Sequence, residues 1–214
     1  GLGASGAGGV FNNYGAFTRS GAGTSQMDVP VHNSSPVQAQ GGTLNLNAGG
    51  SSSGAFDVNA GATLQFGGGT YALNPGATLS GAGLYRLTGG TLSISGTVPV
   101  SNFEQTAATL TGNGTLSVTQ AMTWTGGTQS GTGATHIAAG GVLNLSDSGG
   151  YLDQNARTIN NAGTANWTTG GGNYWYMQGG AVFNNQAGAT FNAQANEGLG
   201  ASGAGGVFNN YGAF

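Results

Sequence analysis

Residues 1–17 and 198–214 of this 214-residue chain are the same seventeen letters, GLGASGAGGVFNNYGAF. The two copies are offset by 197 residues, and seventeen consecutive identities do not arise by chance even in a glycine-rich sequence. A chain that restarts itself has few folds open to it. A closed globule has no place for a second beginning, whereas a stack of similar units accepts one at any point. We therefore read residues 1–197 as one long repeat and 198–214 as the start of the next copy. The whole of 1–214 is expected to form a single continuous segment.

A shorter and looser repeat runs inside the long one. Thr43-Leu44-Asn45-Leu46, Thr63-Leu64-Gln65-Phe66, Thr78-Leu79 and Val142-Leu143-Asn144-Leu145 each follow a glycine and a small or second glycine residue. A sister form places two asparagines after an apolar residue, as in Phe11-Asn12-Asn13, Ile159-Asn160-Asn161 and Phe183-Asn184-Asn185. Copies begin near Phe11, Val37, Phe56, Leu73, Leu92, Leu116, Ile137, Ile159, Phe183 and Phe208. Their spacing of roughly 22 residues gives about nine units per long repeat.

These units read as strands. Polar and apolar residues alternate in Thr91-Leu92-Ser93-Ile94 and Thr115-Leu116-Ser117-Val118, and turn formers bound each run. Helical spacing is nearly absent, with only Asn102–Ala108 offering a weak helical turn. A sandwich and a solenoid both suit evenly spaced strands, and the long repeat favours the solenoid. Corners are expected to use Gly and Asn in left-handed backbone conformations. Asn12, Asn13, Asn160, Asn161, Asn184 and Asn185 are candidates for corner positions that stack into amide ladders. The composition agrees with stacking. Only nine residues are charged and none is Lys, and a charge repeated at one position would face its own copy about 4.8 Å away. Nine coils at that rise span about 43 Å.

The G-G/A-T-L-x-L and N-N-x-G-x-x-F/W units make the chain resemble the β-helical repeat regions of large bacterial surface and secreted proteins. These are the filamentous-haemagglutinin-like adhesins and the autotransporter passenger domains. The resemblance covers most of residues 10–214. It implies an all-β, right-handed parallel β-helix, export to the bacterial cell surface or beyond, and a part in adhesion, biofilm or surface fibres.

Catalytic and cofactor chemistry finds little support. Gly1-Leu2-Gly3-Ala4-Ser5-Gly6 and its copy at Gly198 match a dinucleotide fingerprint, but a strand-like segment follows where a helix is needed. A Gly-rich loop between coils is the expected structure. Asp28, His32 and His136 are scattered, and the six acids form no pair suited to sugar cleavage. No calcium repeat is present. Three dispersed arginines make no stripe for a phosphate backbone, so nucleic acid is excluded as a partner class. No apolar run approaches about 18 residues, so no membrane span is read in this segment. Zero Cys excludes disulfides and thiolate metal sites, so no cofactor or metal is expected.

One stretch breaks the alternation. Tyr174-Trp175-Tyr176 sets three large aromatics in succession, and a strand must turn some of them outward. These three are the candidate surface contacts. The expected role is a structural segment of a long extracellular bacterial fibre or surface stalk. Its partners would be neighbouring copies end to end, with sister filaments or surface polysaccharide beside them. The alternative is an adhesin module that touches carbohydrate, a host surface or a sister filament through exposed aromatics. Flat Thr-rich solenoid faces also support ice binding, but Thr-x-Thr occurs at Thr123–Thr125 and hardly recurs.

Overall fold

Alternation sends every second side chain of a strand inward, and the stability of such a strand depends on what the inward sides share. In the computed structural model, which describes residues 8–214, they share one continuous core. The described residues form 27 strands and no helix. Strands pair in parallel with the strand about one coil further along the chain, not with their sequence neighbours, and the ladder is interrupted between Thr78–Ser80 and Thr97–Gln105. Three strands therefore make a coil, and three faces run the length of the stack.

Coil 1 consists of Phe11–Asn13 on face 1, Phe17–Arg19 on face 2 and Thr24–Met27 on face 3. Coil 9 repeats the order with Trp175–Gln178, Val182–Asn185 and Thr190–Gln194. Coil 10 adds Leu199–Ser202 and Val207–Asn210, and Ala213 bridges to Thr190 on face 3. In coils 5 and 6 the corner between faces 2 and 3 is crossed without a break. Thr97–Gln105 and Thr115–Trp124 are single long strands, with an irregularity between Val100 and Asn102. The weak helical turn expected at Asn102–Ala108 is thus corrected. Phe103 and Gln105 alternate inward, and Glu104 faces Arg86 of the preceding coil, which strand geometry allows and a helix does not.

The stack has about ten coils of about 21 residues. Individual coils vary widely, from 18 residues between Leu92 and Leu110 to 26 between Thr164 and Thr190. Apart from the two long strands, every described strand holds three to five residues, so the corners absorb the difference. Starting points counted along the sequence also mix faces. Thr63–Phe66 lies on face 3, Thr91–Ile94 on face 1 and Thr115–Val118 on face 2. The strand motif marks an inward-outward alternation, and all three faces use it.

Side chains meet their own kind along the axis. Phe66, Leu87, Gln105, Trp124, Leu145 and Trp167 form one inward column of face 3. Each fully buried Leu or Phe contributes roughly 1.5–3 kcal/mol. Neutral residues stack outward, as in the threonine row Thr70, Thr91, Thr109 and Thr128 on face 1. Where charge does stack it is paired: Arg86 donates to Glu104 at 2.9–3.0 Å. The tight corners belong to glycine. Gly90 sits at φ +67°, and a Cβ there would lie 2.0 Å from the Gly69 carbonyl oxygen. The expectation that asparagine shares these left-handed positions is corrected. Among the described non-glycine residues only Ala156 has such a φ, at 63°. Asn13, Asn161 and Asn185 instead occupy the last residue of a strand.

One cation lies inside the core. Arg157 is fully buried at the corner before Thr158–Asn161, and burial pulls its guanidinium down to about 10. It donates to the Ala134 carbonyl at 2.6 Å, the Thr135 hydroxyl at 3.0 Å and the Ser130 carbonyl at 3.3 Å. Thr135 donates onward to Gln129 at 2.8 Å. The guanidinium thus ties coils 7 and 8 together. Arg157→Ala should strip three donors from buried acceptors and cost about 3 kcal/mol, with Thr135→Val costing about 1 kcal/mol. Urea midpoints at neutral pH measure both, and an Arg157→Ala chain as stable as the parent would disprove the assignment.

Candidate functional site

The aromatic stretch enters the stack as the face-1 strand of coil 9, and strand geometry splits it in two. Trp175 and Met177 point inward. Trp175 is 1% exposed, with Phe183 edge-on at 5.2 Å and Trp167 at 5.8 Å. Its expected role as a surface contact is corrected, because its inward register makes it the hub of an aromatic core.

Tyr174 and Tyr176 behave differently. Tyr174 remains 46% exposed, and its ring stacks on Tyr176 at 5.5 Å with 23° between the planes. Tyr151, from the preceding coil and 54% exposed, lies 5.5 Å from Tyr176. The three phenols form a continuous shelf on face 1 over coils 8 and 9. Tyr151 escaped the sequence reading because it stands alone in a Gly/Ser-rich corner. Its one signal is its place just before Leu152, which pairs with Trp175.

The next coil explains why the rings can lie along the surface. A Cβ on Gly198 would stand 2.2 Å from Cε1 of Tyr174, and one on Gly200 would stand 2.9 Å from Cδ1 of Tyr176. Both glycines belong to the G-x-G-x-x-G pattern. Its second copy is not the inter-coil loop expected: Leu199–Ser202 is a strand paired with Trp175–Met177, and a further strand follows. Leu199 takes the register position of Trp175 and so alternates like any other strand residue. The glycines make room for tyrosines, and the first copy, Gly1–Gly6, lies outside the described residues.

Two carboxylates hold the loop that delivers Tyr174. Asp147 is 2% exposed and accepts the Gly171 N–H at 2.6 Å and the Asn173 N–H. Glu197 accepts the Gly170 N–H at 3.0 Å. At the shelf's other edge Asp153 accepts from the Gln178 amide at 2.5 Å and the Thr128 hydroxyl at 3.3 Å, and Ser202 donates to Gln178 at 2.5 Å. The arrangement presents flat rings beside a hydrogen-bonding rim, which is chemistry for binding a partner with apolar patches and hydroxyls.

The asparagines divide by direction. Asn13 donates to Asn33 at 2.7 Å. Asn161 donates to Asn185 at 2.9 Å, and Asn185 to Asn210 at 2.7 Å, inside face 2. On its outside Asn184 donates to Asn160 at 2.8 Å and Asn209 to Asn184 at 2.9 Å. Asn12 is exposed and lies opposite His32 in register, not opposite an asparagine. A further ladder that the sequence reading did not single out joins Asn144, Asn166 and Asn192 on face 3.

The scattered candidates stay scattered. Asp28 is held by Gln26 at 2.5 Å and Asn47 at 2.9 Å, and these amides lower its pKa. His32 meets Ser51 at 2.8 Å on face 1 of coil 2, and His136 lies on face 2 of coil 7. Among the described residues no group of three His, Asp or Glu is placed to hold a metal ion. Comparison with protein-family models, curated proteins and solved structures returned no match.

The fit between Tyr174 and Gly198 predicts a coupling. Gly198→Ala should displace the Tyr174 ring and cost about 1 kcal/mol, and the cost should vanish when Tyr174→Ala is also present. Denaturant midpoints of the four chains in the cycle measure it, and additive costs would refute the contact.

Proposed function

We propose that this chain is a structural segment of a long extracellular bacterial fibre or surface stalk built from tandem copies of the 197-residue period. The observation that carries this reading is the place of the second seventeen-residue copy. Leu199–Ser202 and Val207–Asn210 pair in parallel with the coil before them and so extend the stack instead of closing it. The glycines of that copy also receive the tyrosines that end the preceding period. Function then follows from mechanics. Main-chain hydrogen bonds run along the axis from coil to coil, and a dry core continues with them. Three arginines and no lysine leave trypsin-like proteases few targets, and two of the arginines, Arg19 and Arg157, are buried.

Chains of one, two and three periods test this directly. Small-angle scattering should show rods that lengthen by about 45 Å per period, the rise of a little over nine coils at about 4.8 Å. Independent beads on a flexible string would overturn the reading.

A second reading rests on the tyrosine shelf, an exposed aromatic surface on an otherwise Thr/Ser/Asn-covered rod. In this reading the shelf of each period contacts surface polysaccharide or a sister filament. Replacing Tyr174 and Tyr176 with alanine should leave rod length unchanged and reduce retention on polysaccharide resin by tenfold or more. Unchanged retention would refute the shelf as the contact.

A further inference from the structure

The two copies of the seventeen-residue segment do not occupy the same face. Phe11–Asn13 pairs with Val31–Asn33 on face 1, whereas its duplicate, Phe208–Asn210, pairs with Phe183–Asn185 on face 2. Local conformation is preserved across this change. In each copy the second asparagine turns inward and joins an amide contact to the neighbouring coil, Asn13 to Asn33 and Asn185 to Asn210, both at 2.7 Å. In each copy the two phenylalanines meet edge to face, Phe11 with Phe17 at 5.5 Å and Phe208 with Phe214 at 6.3 Å. The same piece of chain has moved on by one side of a triangle.

The residue count gives the same result independently. Register leads along face 1 from Phe11 through nine complete coils to Ala201, a span of 190 residues. The period is 197, so seven residues remain, and they carry the chain from Ala201 to Phe208. Seven is one third of a coil of about 21 residues. Nothing in the strands resists such a step, since the same alternating motif already serves all three faces.

From this we propose that successive periods stack with an advance of nine coils and one face. This phase advance rests on the tandem-array reading above. The partner surface is the open edge of coil 10, and its occupant is the next stretch of a second copy in the same chain. The bridge from Thr190 to Ala213 sets Phe214 over Phe191, their rings 5.5 Å apart and 13° from parallel. The residues that follow Phe17 in the first copy are Thr18 and Arg19, and in the next copy their equivalents fall opposite Asn192 and Ala193. An alanine is what the first copy offers in this place, where Arg19 lies opposite Ala39 and folds its guanidinium onto the Gly21 and Gly23 carbonyls. Three periods, about 28 coils or about 134 Å, bring the pattern back to its starting face. The tyrosine shelf therefore visits face 1, face 2 and face 3 in turn. The rod presents it on every side and never as a single ridge.

The test uses a two-period chain, residues 1–197 followed by 1–214, whose parent has no Cys. Asn184→Cys paired with Asn209→Cys places two thiols on adjacent coils of face 2 if the advance includes a third of a turn. Gln178→Cys paired with Asn209→Cys places them together on face 1 if periods contain a whole number of coils, since the register of Asn12 on face 1 leads to Gln178. A short bis-maleimide should join the first pair at least tenfold faster than the second. Val182→Cys with Val207→Cys, in the same face-2 register, repeats the measurement without touching the amide ladder. Faster joining of the Gln178 pair, or equal slow joining of all pairs, overturns the phase advance. Scattering from the same chain separates the two levels. A chain without rod dimensions removes the tandem array, and a rod joined through Gln178 removes only the one-face step.

Discussion

Every feature of this molecule depends on one constraint: a residue's nearest neighbours along the axis are its own counterparts one coil away, at about 4.8 Å. Whatever sits at a position must tolerate something like itself at that distance. Leucine and phenylalanine do so by dispersion and burial, asparagine by passing an amide hydrogen along the column, and threonine by being neutral. Charge does so only when it alternates in sign, as at Arg86 and Glu104. The sparse charge of the sequence is thus a consequence of the geometry, and the same geometry selects neutral polar residues for the outside.

The same constraint explains what was legible in the sequence and what was not. Alternation in Thr91-Leu92-Ser93-Ile94 depends on the inward and outward sides of one strand, so strands, their parallel stacking and the solenoid class could be read from it. The position of a strand on face 1, 2 or 3 depends on how many residues the preceding corner consumes, and corners vary without a motif to count them. Val37 and Leu73 therefore look equivalent in sequence and lie on different faces. The site was half legible for a related reason. The tyrosines break the pattern and stand out, but which of Tyr174, Trp175 and Tyr176 turns inward is decided by register with Leu152 and Leu199. Tyr151 and the two glycines that complete the shelf lie one coil to either side, more than twenty residues away.

Buried polarity follows a rule of its own. Gln129 and Gln154 follow Leu92 and Leu110 in one inward column, Arg157 lies at the corner just beyond Gln154, and each is satisfied at least in part by main-chain carbonyls or by a neighbouring side chain. Gln154 donates to the Arg157 and Val182 carbonyls at 2.8 Å, so two buried residues secure the same corner from two sides. That corner carries the left-handed Ala156 and spans only two residues, between Leu152–Asn155 and Thr158–Asn161. The polar groups are placed where this tight corner turns, and there they do the work that a glycine turn does elsewhere.

A motif that does not distinguish faces has a further consequence. In a solenoid whose three faces demanded different residues, a repeat could be duplicated only as a whole number of coils, because any other length would set each strand on a face built for another. Here an inward Phe and an inward Asn are accommodated on face 1 beside Val31 and Asn33 and on face 2 beside Phe183 and Asn185. Both environments supply an apolar neighbour and an amide one coil away. The requirement a strand places on its face is met by the adjacent coil and not by the face itself. Duplication lengths are then limited by strand boundaries, which recur about every seven residues, and not by coil boundaries, which recur about every 21. A period of nine coils and one face lies within that wider set.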